Sequence, residues 1–564
     1  NMTKCQQSPF VTKWKKFFKP MHDFLSPQSV FEDGNPRLVF VDFLRGISMF
    51  GLCLAHEASY FHEAADMQKK AKGFGLILLY IVAAPAMLFA NWRQIFPLIS
   101  GITNGYLSHK KDYPMKRMCI DLIIRTLVAI LLAALFYFFK LLSSGCENGA
   151  RSIKDHLTTI ESFFMTPSYK LAGGACTADT FFGFSFILVP LFTFFGQLAF
   201  KIPVKKINKL YMPLILYTVL GTILVLISNE VNFAIFKSFL SIGWLTPQDR
   251  VECSAAQLRV PETINPYGRS LIQLLMNFVN GRTMAIFPTF SNMLLGMAIG
   301  AFIQIIDQHK NQLKSNVKKW NKFRKIYITV LGGMAIIPLI IYLIQRSITL
   351  NDVQTSVVVK YLGQDVTVKK RSKYVEYDIM RGMDQCHFPE LYSLEVVMQF
   401  VCVFLSICIF EICTQAQAKV RMQKILYLRR FSTLSFSIFV FSTVLGMFIR
   451  WPFSQIYQND DVYTFVGCLF AYFVLQVMIF KYLDSTDYRM TPDWVISSVA
   501  KLLQGKFKDG QFAKQNHLYV KPITVLEKIE ELDEETENLT QGKEGTNDEQ
   551  VEQVYTVEKE AKAE

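Results

Sequence analysis

Blocks of apolar residues about as long as a bilayer is thick recur through this chain, and they limit its fold more than any other feature. A helix rises about 1.5 Å per residue, so a block of about 18 to 24 residues matches a hydrocarbon core roughly 30 Å thick. Such blocks lie near 38–58, 90–108, 119–142, 179–200, 210–228, 283–306, 326–345, 391–414, 431–450 and 462–482. They do not alternate with period two, which excludes a β-barrel. The expectation is an all-α polytopic membrane protein with about ten transmembrane helices. Pro85 and Pro97 interrupt the long apolar run 73–105. Its first part, 74–89, reads as a helix at the outer interface, because only one crossing fits before the basic stretch His109–Arg117. The short apolar piece 271–281 reads as interfacial or re-entrant.

Charge orients the blocks. Lys201–Lys209 carries four lysines and no acid, Asp307–Lys325 seven Lys/Arg against one Asp, and Gln415–Arg430 five and no acid. These fall on the same side as His109–Arg117 and both termini, so the basic loops and the termini are expected to be cytoplasmic. The outer loops 143–178 and 229–270 are nearly balanced. The exception is Lys369–Lys373, in an outer loop (346–390) long enough to translocate despite its charge. Within it, Ser356–Tyr361 and Val366–Lys370 flank Leu-Gly-Gln-Asp, a β-hairpin pattern.

The net charge of +14 hides a split, since 520–564 carries fourteen acids and five bases. A basic body in a chain of this kind fits anionic lipid and positive-inside topology, and no nucleic-acid module pattern is present. Three parts follow: a cytoplasmic amphipathic segment (1–37, with Val11–Pro20 basic and aromatic), a membrane domain (38–495), and an acidic tail (496–564) of disordered composition. The chain opens Asn1-Met2, so a segment upstream stays open. Of eleven cysteines, Cys53, Cys119, Cys402, Cys408, Cys413 and Cys468 lie in or beside the blocks as apolar fillers, and Cys5 lies in the amino-terminal segment. Cys146, Cys176, Cys253 and Cys386 all fall in outer loops, as two disulfides in an oxidising compartment would require. Sequence order favours Cys146–Cys176 and Cys253–Cys386 among three pairings. No Cys/His spacing suited to a metal occurs.

The first block carries Asp42-Phe-Leu-Arg45-Gly46 and, eleven positions after the arginine, His56. At 100° per residue Arg45 and His56 share a helix face, about 16 Å apart along the axis. Asp42 is one turn from Arg45, within reach to pair with it. Ionisable groups at bilayer depth cost at least ~2.5 kcal/mol each, so an aligned set generally lines an internal path. The plainer alternative is that Asp42, Arg45 and His56 anchor the two ends of the helix at the interfaces.

This motif resembles the first-helix signature of the acyltransferase-3 type of transmembrane acyltransferases. It is similar also to the YeiB-like and heparan-α-glucosaminide N-acetyltransferase proteins, which share the Asp-x-x-Arg-Gly start. Phe96–Gly101, Phe287–Gly300, Leu428–Ile449 and Asp487–Trp494 are similar to further stretches of YeiB-like proteins, so the likeness runs in patches over 37–495. Gly101-x-x-x-Gly105 and Gly296-x-x-x-Gly300 in these stretches also permit close helix packing. In the closing stretch Asp493 stands where the family has Glu, and the long outer loops have no evident counterpart.

The resemblance implies transfer of an acyl group, acetyl above all, from cytoplasmic acyl-CoA to a hydroxyl or amine on the outer or lumenal side. His56 would be the general base, Arg45 would bind or orient the donor's polar arm, and Asp42 would hold the guanidinium. Lys110, Lys111, Lys116, Arg117 and Arg125 border the neighbouring helices and are candidates for the nucleotide phosphates. Asp179, Asn104 and Asn292 are polar groups near the same helices. No metal is called for. Lipid and acyl-CoA are the implied partners, with the acceptor (glycan, lipid or small molecule) and any homo-oligomer or larger membrane complex left open. A plasma, endomembrane or lysosomal membrane would suit. The competing reading is a non-catalytic structural subunit or a transporter with the same fold.

Overall fold

The computed structural model describes residues 38–61, 72–90, 95–109, 114–128, 179–203, 209–245, 286–313, 316–348, 355–370, 394–410, 426–456, 462–485 and 491–503, with a few isolated positions between them. The expected amphipathic segment, the acidic tail and Cys146, Cys176, Cys253 and Cys386 lie outside these residues. The described part is mostly helical. In chain order it contains α1 (Val39–Phe61), α2 (Phe74–Ala90), α3 (Ile95–Ser108), α4 (115–128), α5 (Asp179–Phe200), α6 (Tyr211–Ser241), α7 (Ile286–Gln312) and α8 (Val317–Ile348). A hairpin, β1 (Thr355–Tyr361) and β2 (Gln364–Lys370), precedes α9 (Leu394–Phe410), α10 (Leu426–Thr433), α11 (Ser435–Ile456), α12 (Val462–Ser485) and α13 (Pro492–Leu503). Two stretches, Thr289–Lys310 and Val462–Phe480, are long and apolar enough to cross a membrane.

Two helices organise the packing. The first, α1, touches α2, α3, α9, α10, α11 and α12. Its Phe40, Val41 and Leu44 join Ile95, Leu98 and Ile99 of α3 and Val403, Phe404 and Ile407 of α9 in one apolar core. The second, α7, packs between α3 and α6. The α3–α7 contact is set by the paired glycines. A Cβ on Gly296 would strike the carbonyl oxygen of Leu98, and one on Gly300 that of Ile102; Cβ atoms on Gly101 and Gly105 would strike the carbonyls of Met293 and Met297. One turn on, Gln304 Nε2 donates to the Tyr106 carbonyl at 2.8 Å and the Tyr106 hydroxyl donates to Asp307 at 2.6 Å. The steps 98/296, 102/300 and 106/304 advance by four on both helices, so α3 and α7 run in the same direction.

The hairpin forms where expected, with Val357 opposite Val368 and Val359 opposite Val366. Its turn is only Leu362-Gly363, both at positive φ (48° and 86°), the primed geometry that matches strand twist. Val359 packs with Leu240, Leu245 and Ile272 at the far end of α6.

Several boundaries differ from the sequence expectation. α6 continues to Ser241, so residues 229–241 are helix and not loop. Much of Asp307–Lys325 is also helical, with a break only around Leu313–Asn316. α2 extends to Ala90, and the helix after it starts at Ile95. Hydropathy marks where lipid would stop. Helical hydrogen bonding continues past that point when Lys, Arg, Gln and Asn side chains are free to point outward. The largest correction concerns Gln415–Arg430, read as a solvated basic loop. Its last residues belong to α10, packed on α1, with Arg429 and Arg430 only 3% and 2% exposed.

Candidate functional site

α1 begins with an acid in its first turn, Asp42, which complements the positive end of the helix. One turn later Gly46 removes the side chain that would keep a neighbour away. A Cβ there would overlap the backbone carbonyl of Leu428, so α10 lies directly on α1. That approach delivers two groups to Asp42. Arg429 Nε lies 3.6 Å from Oδ2, and the Ser432 hydroxyl donates to Oδ1 at 3.1 Å. Asp42, Arg429 and Ser432 are all buried. An ion pair this dry gains little net stability, yet removing one partner strands the other's charge.

Arg45 lies one turn beyond Asp42. Its guanidinium donates to Thr103 Oγ1 of α3 at 3.4 Å, and that hydroxyl in turn bonds the Ile99 carbonyl at 3.0 Å. Thr103 sits between Gly101 and Gly105, so the glycine crossing of α3 on α7 fixes the residue that meets Arg45.

A third element reaches the same place from the end of the chain. α10 and α11 are separated by one turn residue, Leu434. Asp493, in the first turn of α13, accepts hydrogen bonds from Ser437 N at 2.8 Å and Ser437 Oγ at 2.5 Å, capping the open amino end of α11 from another helix. α13 has its own cap, with Trp494 N donating to Thr491 Oγ1 at 3.2 Å. Asp493 keeps some exposed surface, but its carboxyl end is turned inward onto Ser437. Burial pushes that carboxyl above the usual carboxylate range. Hydrogen bonds from Ser437 and the Phe436 backbone, and the positive charge of Arg45, pull the other way. Two guanidiniums (Arg45, Arg429) and two carboxylates (Asp42, Asp493) thus meet around the start of α1, and the buried Arg430 follows Arg429 on α10.

The sequence-derived candidates fall into three groups. Asp42 and Arg45 belong to this cluster, with Asp42 engaged by Arg429 and Ser432. Against the expected pairing of Asp42 with Arg45, the contacts seen give Asp42 to Arg429 and Ser432 and Arg45 to Thr103. His56 lies on α1, which runs unbroken past it, so the eleven-residue register from Arg45 holds for the backbone; its side chain is outside the described residues. Arg117 and Lys116 are exposed at the start of α4, Arg125 is half-buried on the same helix, and Lys110 and Lys111 lie outside the described residues. Asn104 bonds the Ser100 carbonyl at 2.8 Å, as a helix-packing residue does. Sequence reasoning did not select Arg429, Arg430, Ser432, Ser437, Thr103 or Asp493 as site residues. Adjacent arginines followed by a run of Ser and Thr were the available signal, masked by the count of charges per loop.

No family model matches the chain, and no curated protein or solved structure does.

Proposed function

We propose that the chain is a polytopic membrane acyltransferase that moves an acyl group, acetyl in the first instance, from acyl-CoA at the inner face to a hydroxyl or amine at the outer or lumenal face. The observation that carries this reading is the buried Asp42–Arg429 pair with the half-buried Arg45 and Asp493 beside it. It stands at the start of the helix whose same face holds the His56 position.

Several features support the membrane arrangement of ten spans with inner termini. Large apolar residues are exposed in stripes: Ile120, Ile123 and Leu127 on α4, and Ile215, Val219, Ile223 and Ile227 on α6. Water does not tolerate such faces, and lipid does. On α12, Tyr463 and Tyr482 are both exposed and stand 19 residues apart, about 28 Å, the spacing of two interfacial aromatic belts. Segments read as being on one side also meet. The His109 ring lies tilted beside Phe200, and Lys209 lies over the same ring, which joins two inner segments; Val359 meets Leu240 and Leu245, which joins the hairpin to the outer end of α6. The shared direction of α3 and α7 agrees with both running from outside to inside.

In this reading the guanidiniums hold the anionic carrier of the donor, with Asp42 and Asp493 offsetting their mutual repulsion. The thioester arm lies along the α1 face toward His56. The imidazole takes the acceptor's proton as its oxygen or nitrogen attacks the thioester carbonyl; the C–S bond breaks, and the thiolate leaves and is protonated as CoA. The dry Asp42–Arg429 pair would equally serve a non-catalytic subunit as a joint between helices, which is the second reading. Purified protein in liposomes, given labelled acetyl-CoA and a panel of glycan, lipid and amine acceptors, separates them. The expected result is label transfer that His56→Ala abolishes with folding retained. Transfer undiminished in that variant removes the base, and no transfer with any acceptor favours the joint.

A further inference from the structure

Six residues past Thr103, at the end of α3, a different polar group is buried without a use in the scheme above. His109 is 2% exposed, and its Nε2 lies 3.1 Å from the hydroxyl of Tyr217 on α6, itself fully buried. Its other ring nitrogen, Nδ1, has no hydrogen-bond partner among the described residues. The Tyr217 hydroxyl has one proton to give and two acceptors, His109 Nε2 at 3.1 Å and the Phe192 carbonyl at 3.4 Å. Given to the nearer one, it leaves the imidazole proton on Nδ1, a buried N–H directed at no acceptor. The Ser108 carbonyl beside it already accepts from Gln197 Nε2 at 3.3 Å.

The surroundings are positive. Arg125 of α4 acts electrostatically on both His109 and Tyr217. The ring of Phe200, 5.9 Å from that of His109, carries Lys209 above it, and Lys201 adjoins it in sequence. Burial and Arg125 lower the His109 pKa to about 4, so the ring is neutral at pH 7 and donates without adding a charge of its own. A buried N–H without an acceptor among the described residues, a guanidinium acting on it and ammonium groups nearby are the parts of an oxyanion site.

We propose that His109 Nδ1 and Arg125, backed by Tyr217, form a second anion site at the inner face that takes a phosphate-type oxyanion. The site goes beyond the acyl-transfer reading and does not need it, since the same chemistry is offered by a nucleotide phosphate or by a phospholipid headgroup.

The test uses the full chain, delipidated in neutral detergent, with the thermal unfolding midpoint as readout. Millimolar inorganic phosphate is expected to raise the midpoint by several degrees, and His109→Phe and Arg125→Gln each to weaken the phosphate dissociation constant at least tenfold. Should His109→Phe fail to fold, His109→Gln and selective ¹⁵N-histidine labelling of the unaltered protein replace it. Phosphate should then shift one imidazole, the one with the low pKa, and no other. Two further arms identify the source. Stabilisation by CoA but not by 3′-dephospho-CoA that His109→Gln loses assigns a nucleotide phosphate, and stabilisation by phosphatidylglycerol but not phosphatidylcholine that His109→Gln loses assigns a lipid headgroup; either result supports the site, and stabilisation that the variant keeps in full counts against it. Equal phosphate stabilisation of the parent protein and all variants overturns it, as does no response to phosphate, CoA or phosphatidylglycerol. His56→Ala should bind phosphate unchanged, so loss of transfer in that variant with binding intact keeps the two proposals separate.

Discussion

The α1–α10 joint and the α3–α7 crossing are made with the same device and hold opposite contents. In both, glycine lets one backbone touch another: Gly46 against Leu428, and Gly101, Gly105, Gly296 and Gly300 against their counterparts. The crossing is lined by Leu98, Ile102, Met293 and Met297, with Gln304 and Asp307 bonded to Tyr106 at one end. The joint encloses Asp42, Arg429 and Ser432. Close approach is therefore a packing device wherever it occurs. What distinguishes the joint is that it buries charge, which the bilayer and the protein interior both penalise. A chain that only needed two helices together would do as well with the crossing.

That contrast yields tests of decreasing size. The largest expected loss follows Asp42→Ala, which strands the Arg429 guanidinium and should cost about 3–5 kcal/mol in a detergent unfolding titration. Replacing both, as Asp42→Leu with Arg429→Met, should restore most of that stability while abolishing transfer. A double variant that is stable and fully active would make the joint as inert as the crossing.

The next test uses pH and the polar end of α3. His109 has a folded pKa of about 4 against an ordinary value of 6.5. Between those values the unfolded chain binds the extra proton, so stability rises with pH across this window and is lost as pH falls through it. At 1.36 kcal/mol per unit the full effect is about 3 kcal/mol, and His109→Phe should flatten it in unfolding free energies measured from pH 7 to 4. An unchanged slope would mean that His109 is not held neutral.

Gly296→Ala places a methyl against the Leu98 carbonyl and should cost about 1–3 kcal/mol. Gly332→Ala, on α8, has nothing within 4 Å of the added carbon and should be neutral or gain up to about 1 kcal/mol from helix propensity. The difference between these two unfolding midpoints measures the crossing itself. Ser432→Ala, which removes one hydrogen bond to Asp42 and leaves its ion pair, is expected to cost about 1–3 kcal/mol, at the lower end if water reaches Oδ1.

Local features were legible where a repeat or a turn residue determines them. The hairpin was visible in two β-branched runs around Leu-Gly, and the structure shortened its loop to those two residues. The small-x-x-x-small pairs announced close contact, although nothing in the sequence said that the two pairs meet each other. The end of α6 was misplaced because residues 229–241 change in hydropathy without changing in helix propensity. Arg429 and Arg430 were misread because a charge count treats every lysine and arginine in a loop as solvated. Their burial depends on Gly46, nearly 400 residues earlier.

The sequence alone determined the helical class, the eleven-residue register of Arg45 and His56 on α1, and the positions where backbones can touch. These follow from the 3.6-residue period and from which residues lack a Cβ, both properties of a single segment. Only the tertiary structure decided that Asp42 takes Arg429 and Ser432, that Arg45 meets Thr103, and that Asp493 closes α11 onto the same cluster. Those pairings join segments separated by 56 to 390 residues, and no local period encodes which of several guanidiniums will be nearest a carboxylate once the helices have packed.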